Sequence, residues 1–277
     1  MKSLTKLQIT TIVFSVLVFV LLYFANKTPE MRAEEASMKG KPSNTASIKV
    51  FVDTKITALP DSLKKVYTNL ENSLKKKPAS FSTLDSLIAF WDKIMQPDVA
   101  SFYTEKKAQV LKTADAWIKA GERYYYAVRF VKQAEEIGAL YQQAMLCFER
   151  GLEKDTTNTT AKIKLASCYV EGTNDPMKGI GLLRDIEKTD SNNVELQLAF
   201  AAFSSKSGQI DKAIKRFEKV IALKPDYLEA YLYLADAYEQ MGNKQKTIET
   251  LQKYADLVPD KDAKQEIKKY IDKLKSN

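Results

Sequence analysis

The chemistry open to this chain is bounded first by what it lacks: among 43 basic residues, 35 acidic residues and two cysteines there is no histidine. Histidine titrates nearest neutral pH and is the commonest metal ligand, so its absence removes the default general base and most transition-metal sites. Cys147 and Cys168 are too few for a zinc site and too far apart for a CxxC redox pair. No nucleophile elbow, phosphate-binding glycine loop or metal-ligand cluster occurs. The carboxylates alternate with lysines along helical faces, where solvation is their ordinary role. The expectation is therefore a chain that is not an enzyme, with no cofactor, no metal and no small-molecule substrate. A net charge of +8 raises the question of nucleic acid. The basic clusters, Lys64-Lys65, Lys75-Lys76-Lys77 and Lys268-Lys269, are short and separate. They read as solvated surface, and no nucleic-acid partner is expected.

With catalysis set aside, what remains is what the chain can bind, and that depends on its elements. Leu7–Ala25 (LQITTIVFSVLVFVLLYFA) is almost wholly apolar and carries no charge. As a helix it would reach about 28 Å, close to the hydrocarbon core of a bilayer, with a nominal insertion energy of about −4 to −7 kcal/mol. A cleaved signal peptide is the rival reading, but Tyr23-Phe24-Ala25-Asn26-Lys27 lacks the small-x-small cleavage pattern. Residues 1–25 are expected to be a short tail and a retained signal-anchor helix, a single transmembrane span. Lys2 and Lys6 favour a cytoplasmic tail, whereas Lys27, Arg32, Lys39 and Lys41 on the other flank disfavour export. Long domains cross largely regardless of such charges. The expectation is thus a bacterial inner-membrane protein with its folded part in the periplasm, the alternative being a cytoplasmic one.

Residues 26–60 read as a flexible linker, polar up to about Ser47, with Ile48–Ile56 (IKVFVDTKI) as a short extended stretch. Residues 61–113 carry helical patterning. Leu63, Val66, Tyr67, Leu70 and Leu74 share one face before Pro78; Leu84, Leu87, Ile88, Trp91 and Met95 share another before Pro97. A third, longer helix is expected from about Asp98.

Beyond this point the chain repeats itself. Val194–Tyr227 and Leu228–Lys261 align without a gap at a period of 34. In the second of these Tyr231, Leu234, Ala235 and Tyr238 are followed by Thr247, Leu251 and Pro259; in the first, Phe200, Ala201, Ala213, Phe217 and Pro225 match, with Gly208 in the turn. These residues resemble the tetratricopeptide-repeat (TPR) family. Small residues at the eighth and twentieth positions let two helices approach, large ones at the seventh, eleventh and twenty-fourth surround that contact, and proline stops the second helix. Residues 159–193 form a further repeat with one extra residue, marked by Leu165, Ala166, Tyr169, Gly179 and Leu183. Residues 114–158 form a stretched one, in which Trp117, Ala120, Gly121 and Tyr124 match the first helix and Ala144 and Phe148 the second. The extra residues there would let both helices lengthen. A capping helix is expected over 262–275, with Ala263, Ile267, Tyr270, Ile271 and Leu274 as its stripe. The resemblance implies an all-α fold, a right-handed TPR solenoid of helix hairpins spanning 114–277 (repeats 114–158, 159–193, 194–227 and 228–261, then the cap).

The same resemblance implies a concave groove lined by first-helix positions 2, 5, 9, 12 and 13. Position five repeats as Ile118, Ile163, Leu198 and Leu232. Two readings stand: a binding row, or packing between neighbouring first helices. With Tyr125, Tyr126, Asp236 and Glu239 beside them, these residues would suit an apolar, partly basic peptide or helix. The family's chaperone-binding members hold a terminal carboxylate with a lysine–arginine–asparagine clamp, but the ninth position here carries Ser167, Ala202 and Asp236 instead. Cys147 and Cys168 fall on neighbouring helices, either as buried apolar residues or as a disulfide pair. The expected function is a membrane-tethered protein–protein interaction scaffold assisting assembly of envelope proteins, the alternative being a structural spacer that works through its outer surface.

Overall fold

The computed structural model describes residues 45–276. Leu7–Ala25 and most of the linker lie outside the described residues. Among those described, no helix is long and apolar enough to cross a membrane.

The described residues form thirteen α-helices and one short 3-10 turn, each helix after the first packing on its chain neighbours. Four leading helices, α1 (Thr45–Thr57), α2 (Asp61–Lys76), α3 (Phe81–Lys93) and α4 (Pro97–Leu111), precede the repeats. Then come α5 (Ala114–Ala127), the 3-10 turn Val128–Phe130 and α6 (Ala134–Leu152). The remaining hairpins are α7 (Thr159–Gly172) with α8 (Pro176–Thr189), α9 (Val194–Lys206) with α10 (Ile210–Leu223), and α11 (Leu228–Gln240) with α12 (Lys244–Leu257), closed by α13 (Lys261–Ser276). First helices of successive hairpins also touch, α5 with α7 and α7 with α9.

Local signals explain where these helices start and turn. Asn158 and Asn193, at the same place in successive repeats, accept the Ala161 and Leu196 amides at 2.9 and 3.0 Å. Thr113 caps α5 in the same way through the Ala116 amide at 3.3 Å. Each such cap is worth about 1 kcal/mol. Gly208 and Gly242 carry φ of +74° and +70°. Beside them the Gln209 amide reaches back to the Ser204 carbonyl at 2.8 Å, and the Asn243 amide to Tyr238 at 2.9 Å. This is a helix-ending turn that needs a left-handed residue, for which glycine has no Cβ penalty.

The small positions do what close approach requires. Ala166, Ala201 and Ala235 are buried, as are Gly179, Ala213 and Thr247 opposite them. A Cβ on Gly179 would lie 2.3 Å from the Ala166 carbonyl oxygen, so α7 and α8 could not meet with anything larger there. The cores run as a chain of clusters, large around Trp117, Tyr124, Leu140 and Phe148 and shrinking to Ala235, Leu251 and Ile271 at the end.

Four expectations change. The stretch Ile48–Ile56 is helical within α1, because Ile48 and Val52, four residues apart, form one buried helical face. The stretched repeat keeps a fourteen-residue α5; its extra length goes into the 3-10 turn, the loop after it and a nineteen-residue α6. Met95 leaves the α3 stripe, since that helix ends at Lys93 and Met95 sits exposed at φ 59°. Val66 is likewise exposed, with Tyr67 and Leu74 carrying the α2 contact instead.

The leading helices are joined to the repeats by buried charge. Lys55 of α1 reaches Asp98 of α4 and, at 2.8 Å, Glu136 of α6. Asp98 and Glu136 are 1% and 5% exposed. Burial works against the Lys55 ammonium, but its two carboxylate partners outweigh it and its pKa lies above the ordinary lysine value. Burial likewise raises the Glu136 carboxyl. On the far side of the same α4 face, Glu105 accepts the Tyr124 hydroxyl at 2.9 Å and the Gln143 amide at 2.7 Å.

Candidate functional site

The first helices α5, α7, α9 and α11 carry one face of a concave groove with a volume of about 710 Å³. Its floor comes from α9, where Leu198 is half-buried, Ala202 exposed and Phe203 buried. Its walls are aromatic at both ends. Tyr125 of α5 stands at one, and Tyr227 with Tyr233 at the other. Tyr233 is 53% exposed and stacks on Phe217 of α10, with centroids 5.6 Å apart and planes inclined by 24°.

The carboxylates facing this groove are largely engaged. Glu171 accepts the hydroxyls of Tyr125 at 3.2 Å and Tyr141 at 2.9 Å. Burial, and then the Glu171 charge, push both phenols above their ordinary pKa, so they remain donors to that carboxylate. Glu195 pairs with Lys164 at 2.9 Å. Glu122 is close enough to feel both Lys164 and Glu195; burial raises its carboxyl, and Lys164 opposes the rise. Asp236 accepts from Gln240, one turn on, at 2.6 Å.

Of the expected site residues, Tyr125, Ile163, Leu198 and Asp236 line this groove. The other four do not. Ile118 is 8% exposed and packs where a Cβ on Gly151 of α6 would meet it. Tyr126 is exposed but turned to Phe130, ring to ring at 5.0 Å. Leu232 packs beside Ala235, Leu251 and Ile271. Glu239 accepts the Tyr270 hydroxyl of α13 at 2.7 Å. The capping helix thus occupies the last first-helix face, where the groove had been expected to continue.

Position five is therefore graded. Ile118 and Ile163, at 8% and 1% exposure, are packing residues, although Ile163 still touches the groove; Leu198 is a groove residue. Two positions reach the cavity in three successive repeats: the ninth (Ser167, Ala202 and Asp236), which the register had named, and the sixth (Lys164, Ala199 and Tyr233), which it had not. Their spacing was available in the sequence. The mixture of lysine, alanine and tyrosine gave no chemical signal, whereas four aliphatic residues in register did. Arg129, Lys224 and Tyr227 lie in turns and loops beyond any first helix, so no helical register could have placed them in the site.

Cys147 and Cys168 are both buried and both free thiols. Burial raises the pKa of each. Among the described residues no group of three or more cysteine or carboxylate side chains could hold a metal ion.

Comparison with known proteins bears mainly on the fold. A family profile described as regulator of microtubule dynamics protein 1-3 matches residues 186–277, the last third of the chain. No curated protein matches the chain in sequence. Among solved structures, a tetratricopeptide-repeat protein from Parabacteroides merdae superposes with a TM-score of 0.52 at 15% identity, over 82% of this chain and 83% of that one. YrrB, described as a TPR protein with an unusual peptide-binding site, gives 0.41 at 19% identity over 72% of this chain and 97% of its own. MamA gives 0.43 at 19% identity over 64% and 90%. With helix hairpins in series, small residues at their crossings and this likeness to the Parabacteroides protein, the described residues form an all-α repeat solenoid with the fold of tetratricopeptide-repeat proteins.

Proposed function

We propose that the chain is a membrane-tethered scaffold that holds a segment of another protein in the groove across α5, α7, α9 and α11. The observation that carries this is the groove itself, an open apolar cleft of about 710 Å³ spanning four successive hairpins and flanked by tyrosines. An exposed Tyr233 and an accessible Leu198 offer the rigid apolar anchors that bound peptides use. The tether rests on the apolar run Leu7–Ala25. An amino-terminal anchor of this form suits a bacterial inner-membrane protein with a periplasmic solenoid, attending the assembly of envelope proteins; a cytoplasmic solenoid is the other arrangement.

The family name matched over 186–277 supports a second reading. That stretch contains the groove residues from Val194 to Asp236, and carried to this chain the name would put its partner on or beside a microtubule.

One experiment separates these readings. Photocrosslinking residues are placed at Leu198, Ala202 and Tyr233 of the full chain in intact cells, and the captured proteins are read by mass spectrometry. One dominant protein from all three positions is expected, blocked by Ala202→Trp, and its identity distinguishes an envelope client from tubulin or a tubulin-bound protein. Self-crosslinks alone would instead support a spacer working through its outer face. The topology is tested by labelling a cysteine placed at exposed Lys206 with an impermeant maleimide: labelling in intact spheroplasts supports the periplasmic arrangement, and labelling only after lysis supports the cytoplasmic one.

A further inference from the structure

Resting on the reading of the groove as a peptide site, we propose that the segment it takes is apolar in its middle and acidic on both flanks. This reverses the charge expected from the register of the first helices, where the carboxylates suggested a partly basic partner.

The reversal comes from which charges are already occupied. Glu171 has two phenol donors on one carboxylate oxygen, from Tyr125 and Tyr141. Glu195 is paired with Lys164, and Glu122 shares the field of that same ammonium. Asp236 keeps one local partner, Gln240, and remains as an acceptor near the aromatic end. Two cations on the groove wall have no such carboxylate. Arg129, in the 3-10 turn beyond the end of α5, lies over the Tyr126 ring at 5.8 Å. Lys224, in the turn just before α11, lies over the Tyr227 ring at 5.6 Å. Neither makes an ion pair among the described residues, and both are exposed.

Their placement gives the partner its pattern. Arg129 follows the end of one first helix, and Lys224 precedes the start of another three hairpins later, so they stand at opposite edges of the groove. Between them lie Leu198, Ala202 and Phe203, which offer no charge. A segment crossing the floor meets apolar surface in the middle and an unsatisfied cation at each side. Carboxylates there would form charge-assisted hydrogen bonds, while lysines would face like charge. Each cation rests over a tyrosine ring, Lys224 over Tyr227 of the groove lining and Arg129 over Tyr126 just outside it.

The test pans a random nine-residue peptide library displayed on phage against the immobilised full-length chain in detergent micelles. The enriched peptides are then synthesised and titrated by fluorescence polarisation. The expected consensus is three to five apolar or aromatic residues with Asp or Glu on both sides. Arg129→Glu and Lys224→Glu should each weaken binding about threefold to tenfold, by an amount that shrinks as salt rises. Arg129→Gln and Lys224→Gln should give a smaller loss in the same direction, and all four variants should melt where the parent does. A consensus with Lys or Arg flanks overturns the proposal. So does an acidic peptide indifferent to both reversals. If Ala202→Trp still blocks such peptides, the groove reading survives that failure. If no peptide is enriched whose binding Ala202→Trp blocks, the groove reading falls and the proposal falls with it.

Discussion

At the scale of single residues, the two cysteines behave as small apolar side chains. Both are fully buried, and both have thiol pKa values raised by burial, so neither forms thiolate at neutral pH. In the folded protein neither should react with an aromatic disulfide reagent over hours, and in denaturant both should react within minutes. Fast reaction of either under native conditions would contradict their burial. The sequence placed them on neighbouring helices but could not choose between a bridge and a buried pair, because that choice depends on side-chain direction. The same limit governed position five. Four aliphatic residues in register were legible. That Ile163 points into the core while Leu198 faces the groove depends on superhelical curvature, which no single repeat encodes.

At the scale of elements, α1 is held by the buried Ile48 and Val52 and by one lysine. Replacing Lys55 by methionine leaves two carboxylates, Asp98 and Glu136, buried with no cation between them. We expect a loss of about 2–4 kcal/mol, somewhat below the cost of breaking a fully buried pair because the Lys55 side chain keeps a quarter of its exposure. Urea unfolding checks this, and Glu136→Gln in the Lys55→Met background should recover part of the loss. The helix was hidden in the sequence by its composition: Thr, Lys and Asp among Ile and Val read as an alternating strand, and only the spacing of Ile48 and Val52 pointed to a helix.

The packing of α8, α9 and α10 is bound up with a second ion pair. Arg216 of α10 donates to Glu187 of α8 and, at 2.7 Å, to Gln197 of α9. The Arg216 hydrogen bond, first among its causes, holds the Glu187 carboxyl below its ordinary value. A depressed carboxyl pKa stabilises the fold fully above the unfolded value, and that stability is lost as the pH falls through the lower folded value. Arg216→Met should therefore be less stable than the parent at pH 7, with the gap narrowing from about pH 4.5 downward. A gap that stayed constant to pH 2 would mean the arginine acts through packing alone, through its contact with the Phe200 ring for instance.

At the scale of the whole molecule, each helix from α2 onward depends mainly on its sequence neighbours, so stability is local and need not be uniform. The buried clusters are large around α5 and α6 and small at the carboxyl end, where Ile271 is the one buried residue of α13. Amide hydrogen exchange should therefore release α13 first, then α12 and α11, with α5 and α6 slowest. Uniform exchange across the repeats would show a single cooperative unit instead. The order of hairpins was readable from the 34-residue period and its glycine turns. The unequal strength of the hairpins was not, because it depends on how many neighbours each aromatic finds.

The docking of α13 gives the array a closed end. That helix lies on the face of α11, covering Leu232 and holding Glu239 through Tyr270. Seated there, it withholds one module of aliphatic floor and one carboxylate from the cleft, and the ladder stops a rung short.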